Sequence, residues 1–397
     1  MQQSFNGITY LTGCEKVLRK MMAVKALPIF NEKVVDFLSA LSREILSDKR
    51  TRLYPDVTSY AFWIRKTSLE NTRKDYPNAN VRIGRGVTFH ISPSNVPVNF
   101  AVSFTSALLA GNACIVRVSN KEFEQVKIIC EAINRLFCNS YADLAQYLCI
   151  IRYQHNDNIT QLLSSMCDVR IIWGGNYTID TIRRAKLPPR SIELSFADRH
   201  SIAIINADEY LKTDKQEVAR DFFIDTYYTD QNACSSPRLV VWQGNEIEMA
   251  REVFWDSLEN LVKSEYDMAP IQSVDKFVSF CRLSATHRNL FISSNSNLIV
   301  RVLLSEIFPD LMDYKDGGGY FFEYQTDNLA DIIPVLDKSC QTVSYLGINP
   351  IEIRNLVYFW GTKGVDRIVP IGQTMELSFT WDGYDMIEAM SRIVLCK

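Results

Sequence analysis

The chain is short of the features that mark several common protein classes. Its 397 residues include ten cysteines yet no Cys-x-x-Cys pair, and their spacing fits neither a zinc site nor a disulfide framework. The four histidines, His90, His155, His200 and His287, lack the intervals of metal ligands, so no metal is expected. Gly-x-Gly-x-x-Gly is missing, which argues against the ordinary dinucleotide fingerprint. No apolar run approaches the roughly 18 residues of a spanning helix. The opening Met-Gln-Gln-Ser-Phe-Asn has no basic region leading into an apolar stretch, so no secretory signal is visible. Lysine and arginine are scattered and the formal net charge is only −3, which gives no reason to expect nucleic acid or an anionic membrane as partner. So many thiols without a pairing pattern favour a reducing compartment, and a cytoplasmic location is expected.

What is present describes a globular protein, with 47% hydrophobic and 22% charged residues and enough length for two domains. Residues 1–80 read as mostly helical. Val34, Leu38, Leu41 and Ile45 form one apolar stripe, with Asn31 as its N-cap; a second helix carries Tyr60, Phe62, Trp63 and Ile64. From residue 84 short β-rich runs alternate with helices. Strands are expected at 87–91, 113–118, 147–152 and 168–173, and helices at 98–110, 123–136 and 176–186. Such alternation predicts an α/β fold with a parallel sheet covered on both faces.

This gives a nucleotide-binding domain over 81–199. A catalytic domain over 200–371 follows, with strands at 201–205 and 239–242 and helices at 214–228 and 247–263. Leu298–Ile307 reads as helix-like, and Gly317-Gly318-Gly319 as a flexible turn. Residues 372–397 read as a strand (Glu376–Thr380), a turn and a final helix.

The chemistry centres on Cys234, in Asp-Gln-Asn-Ala-Cys-Ser-Ser-Pro-Arg just before a strand. Small polar neighbours and Arg238 set it apart from a core thiol and suit an accessible nucleophile. Asn95, in Ser92-Pro93-Ser94-Asn95-Val96-Pro97 at a strand end, is a candidate oxyanion donor. Glu193, in Ser-Ile-Glu-Leu-Ser, is a candidate general base. Each residue also has a plain structural reading: a core thiol, a turn-stabilising asparagine, a salt-bridged carboxylate. The ordered set carries the argument.

That set resembles the aldehyde dehydrogenase superfamily and, more closely, its LuxC-type fatty-acyl-CoA reductases. Pro93-Ser94-Asn95-Val96-Pro97 matches the oxyanion-asparagine turn, and Leu109-Ala110-Gly111-Asn112 the lead-in to a strand. Ile171-Ile172-Trp173-Gly174-Gly175 matches the glycine loop near the cofactor, while Glu193-Leu194-Ser195 and Cys234-Ser235-Ser236 stand where the glutamate and nucleophile are kept. The strings at 364–370 and 381–385 are typical of the reductase branch. The resemblance implies reduction of an acyl-CoA or acyl-protein thioester to an aldehyde through an acyl-cysteine, with a long-chain acyl group.

It further implies cofactor-binding positions at Ser92, Pro93, Arg117, Ser119, Asn120, Gly174 and Gly175. Arg117 without a carboxylate at Asn120 would tolerate a 2′-phosphate, so NADPH is expected; an Arg117 that merely snorkels at a strand end is the alternative. Trp173 departs from the pattern, and so does an amino terminus that looks short beside luminescence reductases. Candidate partners are an acyl-CoA or acylated protein donor and an acyl-protein synthetase, and the chain is expected to self-associate. A reductase for short or functionalised acyl groups, and a catalytically silent acyl- or nucleotide-binding subunit, stay open as alternatives.

Overall fold

Short β-branched strands joined through helices build a six-stranded sheet in the first of two units of the computed structural model, which describes residues 5–396. This unit comprises residues 1–197 and 377–397. Its strand order is Thr9–Thr12, Leu148–Arg152, Ala113–Arg117, Val87–Ile91, Val169–Trp173, Ile192–Phe196. All neighbours are parallel except the edge strand Thr9–Thr12, which runs antiparallel to Leu148–Arg152. After the edge strand Thr9–Thr12, the parallel strands begin with Val87–Ile91 in the middle, build outward through Ala113–Arg117 to Leu148–Arg152, then return and build to the other side. Strand order therefore reverses between Val87–Ile91 and Val169–Trp173, which in an open α/β sheet marks the usual place for a ligand.

Helix Glu32–Ser47 begins as the sequence predicts. Asn31 Oδ1 accepts from the Lys33 amide at 3.1 Å, and Val34, Leu38, Leu41 and Ile45 are all buried. The amino-terminal region is not helical throughout, because Thr9–Thr12 joins the sheet edge. The Ala-Gly-Asn string has a structural role. Gly111 adopts φ +87, and a Cβ there would stand 1.9 Å from the Leu27 carbonyl oxygen, so only glycine fits. Buried Asn112 accepts from the amides of Arg85 and Gly86 and donates to the carbonyls of Ala107 and Met390.

The second unit, residues 198–376, holds a seven-stranded sheet. Its order is Phe291–Ser296, Ile299–Leu303, Tyr320–Gln325, Pro237–Gln243, His200–Asn206, Cys340–Leu346, Arg367–Pro370. Only the first pair is antiparallel. Three sequence readings are corrected. The apolar run 298–307 is not a helix: Ile299–Leu303 is a strand, because its β-branched residues complete a hairpin and pair with Tyr320–Gln325. Glu376–Thr380 is mostly irregular, with a two-residue strand Thr380–Trp381 pairing with Tyr384–Asp385. The final helix is only Met386–Ala389, and strand Ser391–Ile393 follows it on Arg82–Gly84.

One buried carboxylate organises the helix-covered side of the second sheet. Glu323 accepts from the indoles of Trp242 at 3.0 Å and Trp255 at 2.6 Å, and from Arg251 Nε at 3.2 Å and Nη2 at 3.1 Å. Arg301 lies 3.5 Å away. Removing the charge would take their shared buried anion from two largely buried guanidinium groups, leaving Arg251 only the exposed Glu248 at 3.1 Å. Glu323→Gln is therefore expected to cost about 3–5 kcal/mol of stability, seen as a lower urea midpoint; an unchanged midpoint would contradict this account.

Candidate active site

In the first unit the residues expected to meet a cofactor collect along the carboxyl ends of adjacent strands. Ser92 and Pro93 follow Val87–Ile91, Arg117 ends Ala113–Arg117, and Gly174 and Gly175 follow Val169–Trp173. Ile91 pairs with Arg117 on one side and Ile172 on the other, and the Ser92 amide donates to the Arg117 carbonyl at 3.0 Å. Gly174 and Gly175 lead into helix Asn176–Arg183, whose N-cap Gly175 has no side chain to offer; a helix amino terminus attracts anions. Ser92 Oγ and Arg117 Nε are buried without a hydrogen-bond partner. These are unmet polar groups at the edge where an open α/β sheet usually takes a ligand, and donors of this kind would fit a nucleotide.

The adjoining loop is braced. Arg117 lies over the Tyr153 ring at 4.5 Å and reaches its carbonyl at 3.4 Å. Asn120 donates to Gln154 at 3.2 Å, and Ser119 Oγ accepts from the Lys121 amide. Asn95 is exposed on the loop between Ile91 and helix Asn99–Leu109. Trp173 turns into the core, not toward the open edge. It stacks on Phe196 at 3.8 Å, and its indole donates to Ser103 Oγ at 3.0 Å. Ser103 also meets His90 Nδ1 at 2.6 Å, and Thr88 meets Nε2 at 2.8 Å. Burial pulls His90 down to about 3, so it is a neutral core residue.

Glu193 is not brought to that edge. It is the second residue of Ile192–Phe196, toward the amino end, directly opposite Arg170. Oε2 accepts from Arg170, whose Nε stands at 2.8 Å, and Oε1 accepts from Arg183 Nε at 2.7 Å. Arg170 is buried whereas Arg183 is half exposed, so only the second pair opens readily.

In the second unit Cys234 is half-buried, on the loop before strand Pro237–Gln243, at the amino ends of the parallel strands. Two consecutive left-handed residues, Asp230 (φ 52) and Gln231 (φ 59), shape this loop. The fully buried Gln231 side chain compensates for that backbone. Its Nε2 donates to the carbonyls of Pro237 at 2.9 Å and Tyr320 at 3.1 Å, and its Oε1 accepts from the amides of Gly319 at 2.9 Å and Tyr320 at 3.1 Å. Ser201 Oγ holds the Cys234 carbonyl at 2.7 Å.

Arg238 is buried with its Nη1 donating to the Asp316 carbonyl. Burial pulls it down to about 10, against an opposing electrostatic pull from Cys234 and Asp316. By contrast, burial pushes the Cys114, Cys130, Cys149, Cys167 and Cys340 thiols up to about 12, which makes them poor nucleophiles.

The Gly317-Gly318-Gly319 segment is not a flexible turn: Gly318 and Gly319 are buried, and the Gly318 amide donates to the Asp230 carbonyl at 2.9 Å. Gln231, Lys276 and Asp225 went unnoticed in the sequence; nothing in local pattern tells a buried polar side chain from an exposed one. Asp225 is buried and accepts from the amides of Gly372 at 2.7 Å and Thr374 at 3.1 Å. The next residue, Met375, touches Ser235 Oγ at 3.5 Å, beside Cys234. Among the described residues no cluster of three His, Cys, Asp or Glu could hold a metal ion, and no helix is long and apolar enough to cross a membrane.

Residues 14–393 match the family model described as "Acyl-CoA reductase (LuxC)". The chain is 27% identical over 305 residues to a long-chain acyl-protein thioester reductase of Aliivibrio fischeri, covering 72% of this chain and 58% of that protein. With the protein of that name from Vibrio harveyi it shares 25% over 323 residues, covering 78% and 63%. It thus spans about three fifths of the length of these relatives. Among solved structures, Thermus thermophilus 1-pyrroline-5-carboxylate dehydrogenase superposes with TM-score 0.65 at 12% identity, covering 97% of this chain and 84% of that one. An NADP-dependent glyceraldehyde-3-phosphate dehydrogenase from Bacillus halodurans, solved with NADP, gives 0.61 at 14%, covering 91% and 85%. The fold is therefore aldehyde dehydrogenase-like, as the sequence predicts.

Burial raises Asp225 from 3.8 to about 6 against the opposing pull of its N–H donors. A carboxyl whose folded value exceeds its unfolded one stabilises the fold fully below the unfolded value, and that contribution is lost as pH rises through the folded value. Between pH 4 and pH 7 the wild type should lose up to about 3 kcal/mol relative to Asp225→Asn. Urea unfolding of both proteins across that range checks it; parallel curves would contradict the assignment.

Proposed function

The chain belongs to the LuxC family of acyl-CoA reductases, and on that premise we propose that it reduces an activated acyl group to an aldehyde with NADPH, through an acyl-cysteine at Cys234. The observation that carries this reading is the half-buried Cys234 on a loop locked by Gln231, with the Arg238 guanidinium acting on it from inside the unit. A fixed cation whose charge acts on a thiol favours the thiolate, which is the nucleophilic form.

In this proposal the Cys234 sulfur attacks the thioester carbonyl and the donor thiol leaves. Asn95 and the Cys234 amide are the proposed donors to the oxyanion. Glu193 is the proposed proton handler through Oε1, whose partner Arg183 is exposed enough to swing away. The nicotinamide, when bound, supplies a hydride. Gly174, Gly175 and the first amides of Asn176–Arg183 would hold its phosphates, with Ser92 and Pro93 lining the same edge. Arg117, with Ser119 and Asn120 beside it and no carboxylate there, is the basis for preferring NADPH. The names of the curated relatives favour a long-chain acyl group on a protein thioester as donor. An acyl-protein synthetase is the corresponding partner.

The test is NADPH oxidation with a long-chain acyl-CoA and with an acylated protein, beside Cys234→Ala. Loss of at least ~10³-fold in the variant is expected; equal turnover would exclude Cys234 as nucleophile. Acylation without NADPH consumption by the wild type would exclude the reductase reading. Arg117→Met should raise the KM for NADPH about tenfold while leaving that for NADH within twofold. Equal effects on both would remove Arg117 from 2′-phosphate recognition.

A further inference from the structure

Helix Pro270–Thr286 exposes Ile271, Val274, Phe277 and Val278 to solvent, yet Lys276 on the same helix is 1% exposed. A lysine is rarely buried without charge or hydrogen-bond compensation, and the Asp316 carboxylate acts on this one as a nearby negative charge. Here the ammonium donates to the main-chain carbonyls of Asn297 and Gly318, the latter at 2.6 Å, and touches Met268 Sδ at 3.3 Å. All three of its protons are used, two of them to join separate loops.

The Gly318 carbonyl belongs to a segment built against the cysteine loop. Ser279, one turn along the same helix, donates to Asp316 Oδ2 at 2.6 Å. The Asp316 carbonyl takes Arg238 Nη1, the Gly318 amide reaches the Asp230 carbonyl, and the Gly319 amide reaches Gln231 Oε1. The segment has no slack. Gly319 has φ +90, and a Cβ there would lie 2.1 Å from the Leu298 carbonyl oxygen. A Cβ on Gly317 would lie 2.8 Å from the Asp230 carbonyl oxygen.

We infer that Lys276, supported by Ser279, is a positioning residue for the Cys234 thiol: by clamping Asp316–Gly319 it holds both Arg238 and the 230–236 loop in place. This rests on the reading of Cys234 as the nucleophile. Without the clamp, the Gly318 carbonyl loses its buried donor and the Asp316 carbonyl is free to draw Arg238 away from the sulfur. The thiol would then lose the cation that favours its ionised form.

The experiment is the pH profile of Cys234 alkylation by iodoacetamide, read site by site by mass spectrometry, in wild type and Lys276→Met. Exposed Cys14 and Cys138 serve as internal controls. The expected result is an alkylation rate at Cys234 at least tenfold lower at pH 7, with its midpoint raised by about one pH unit. The controls should stay unchanged, and kcat for NADPH oxidation should fall with KM for the acyl donor within twofold. An unchanged midpoint and rate at Cys234 would overturn the inference even if turnover is lost. Should Lys276→Met not fold, Ser279→Ala gives the same reading: a shift in the same direction supports the clamp, and none overturns it. Failure of the underlying reading shows separately, as turnover that survives Cys234→Ala.

Discussion

A parallel sheet covered on both faces can offer side chains to a ligand only at its strand ends. Both units obey this constraint. Val87–Ile91, Val169–Trp173 and Leu239–Trp242 are buried at every position, so nothing on their faces can reach a substrate. The candidate residues gather mainly at one edge of each sheet. In the first unit it is the carboxyl edge, where strand order reverses and the glycine loop opens a helix. In the second it is the amino edge, where the loop bearing Cys234 enters Pro237–Gln243. The candidate site residues follow from that geometry, Glu193 excepted, and Glu193 is the one held in place by two arginines.

The amino edge of the second sheet carries an unusual density of buried polar groups. Gln231, Arg238 and Lys276 each lie inside and each bond to main chain. A buried donor without a partner costs about 1–3 kcal/mol, and more if charged, so every one of these side chains constrains the loop it touches. Together they replace the stiffness that regular secondary structure gives elsewhere. The left-handed pair Asp230–Gln231 shows the local cost, since non-glycine residues adopt that backbone only when the surroundings over-determine it. Rigidity at this point suits a nucleophile that must meet a carbonyl in one orientation.

Much of the fold was legible because its signals are local. β-branched runs of strand length, amphipathic spacing in Glu32–Ser47 and the break at Gly111-Asn112 need no tertiary knowledge. The errors came where locality fails. Ile299–Leu303 is as apolar as a helix segment of that size, and only its pairing with Tyr320–Gln325 makes it a strand. The triple glycine invites a reading of flexibility, whereas its backbone is wedged between Lys276 and Gln231. Nor does the local pattern tell that the indole of Trp173, which departs from the family pattern beside the glycine loop, turns inward to Ser103.

By itself the sequence determined the class of the fold, the strand that each candidate loop adjoins, and the identity of the thiol worth testing. Those depend on residue type and on spacing within a dozen positions. Only the tertiary structure decided which polar side chains are buried and what they hold. It alone paired Glu193 with Arg170 and Arg183, joined Arg238 to the Asp316 carbonyl, and set Lys276 under Gly318. The physical reason is that desolvation and ion pairing act between atoms close in space, and residues 276 and 318 or 231 and 320 become close only after the sheet has formed.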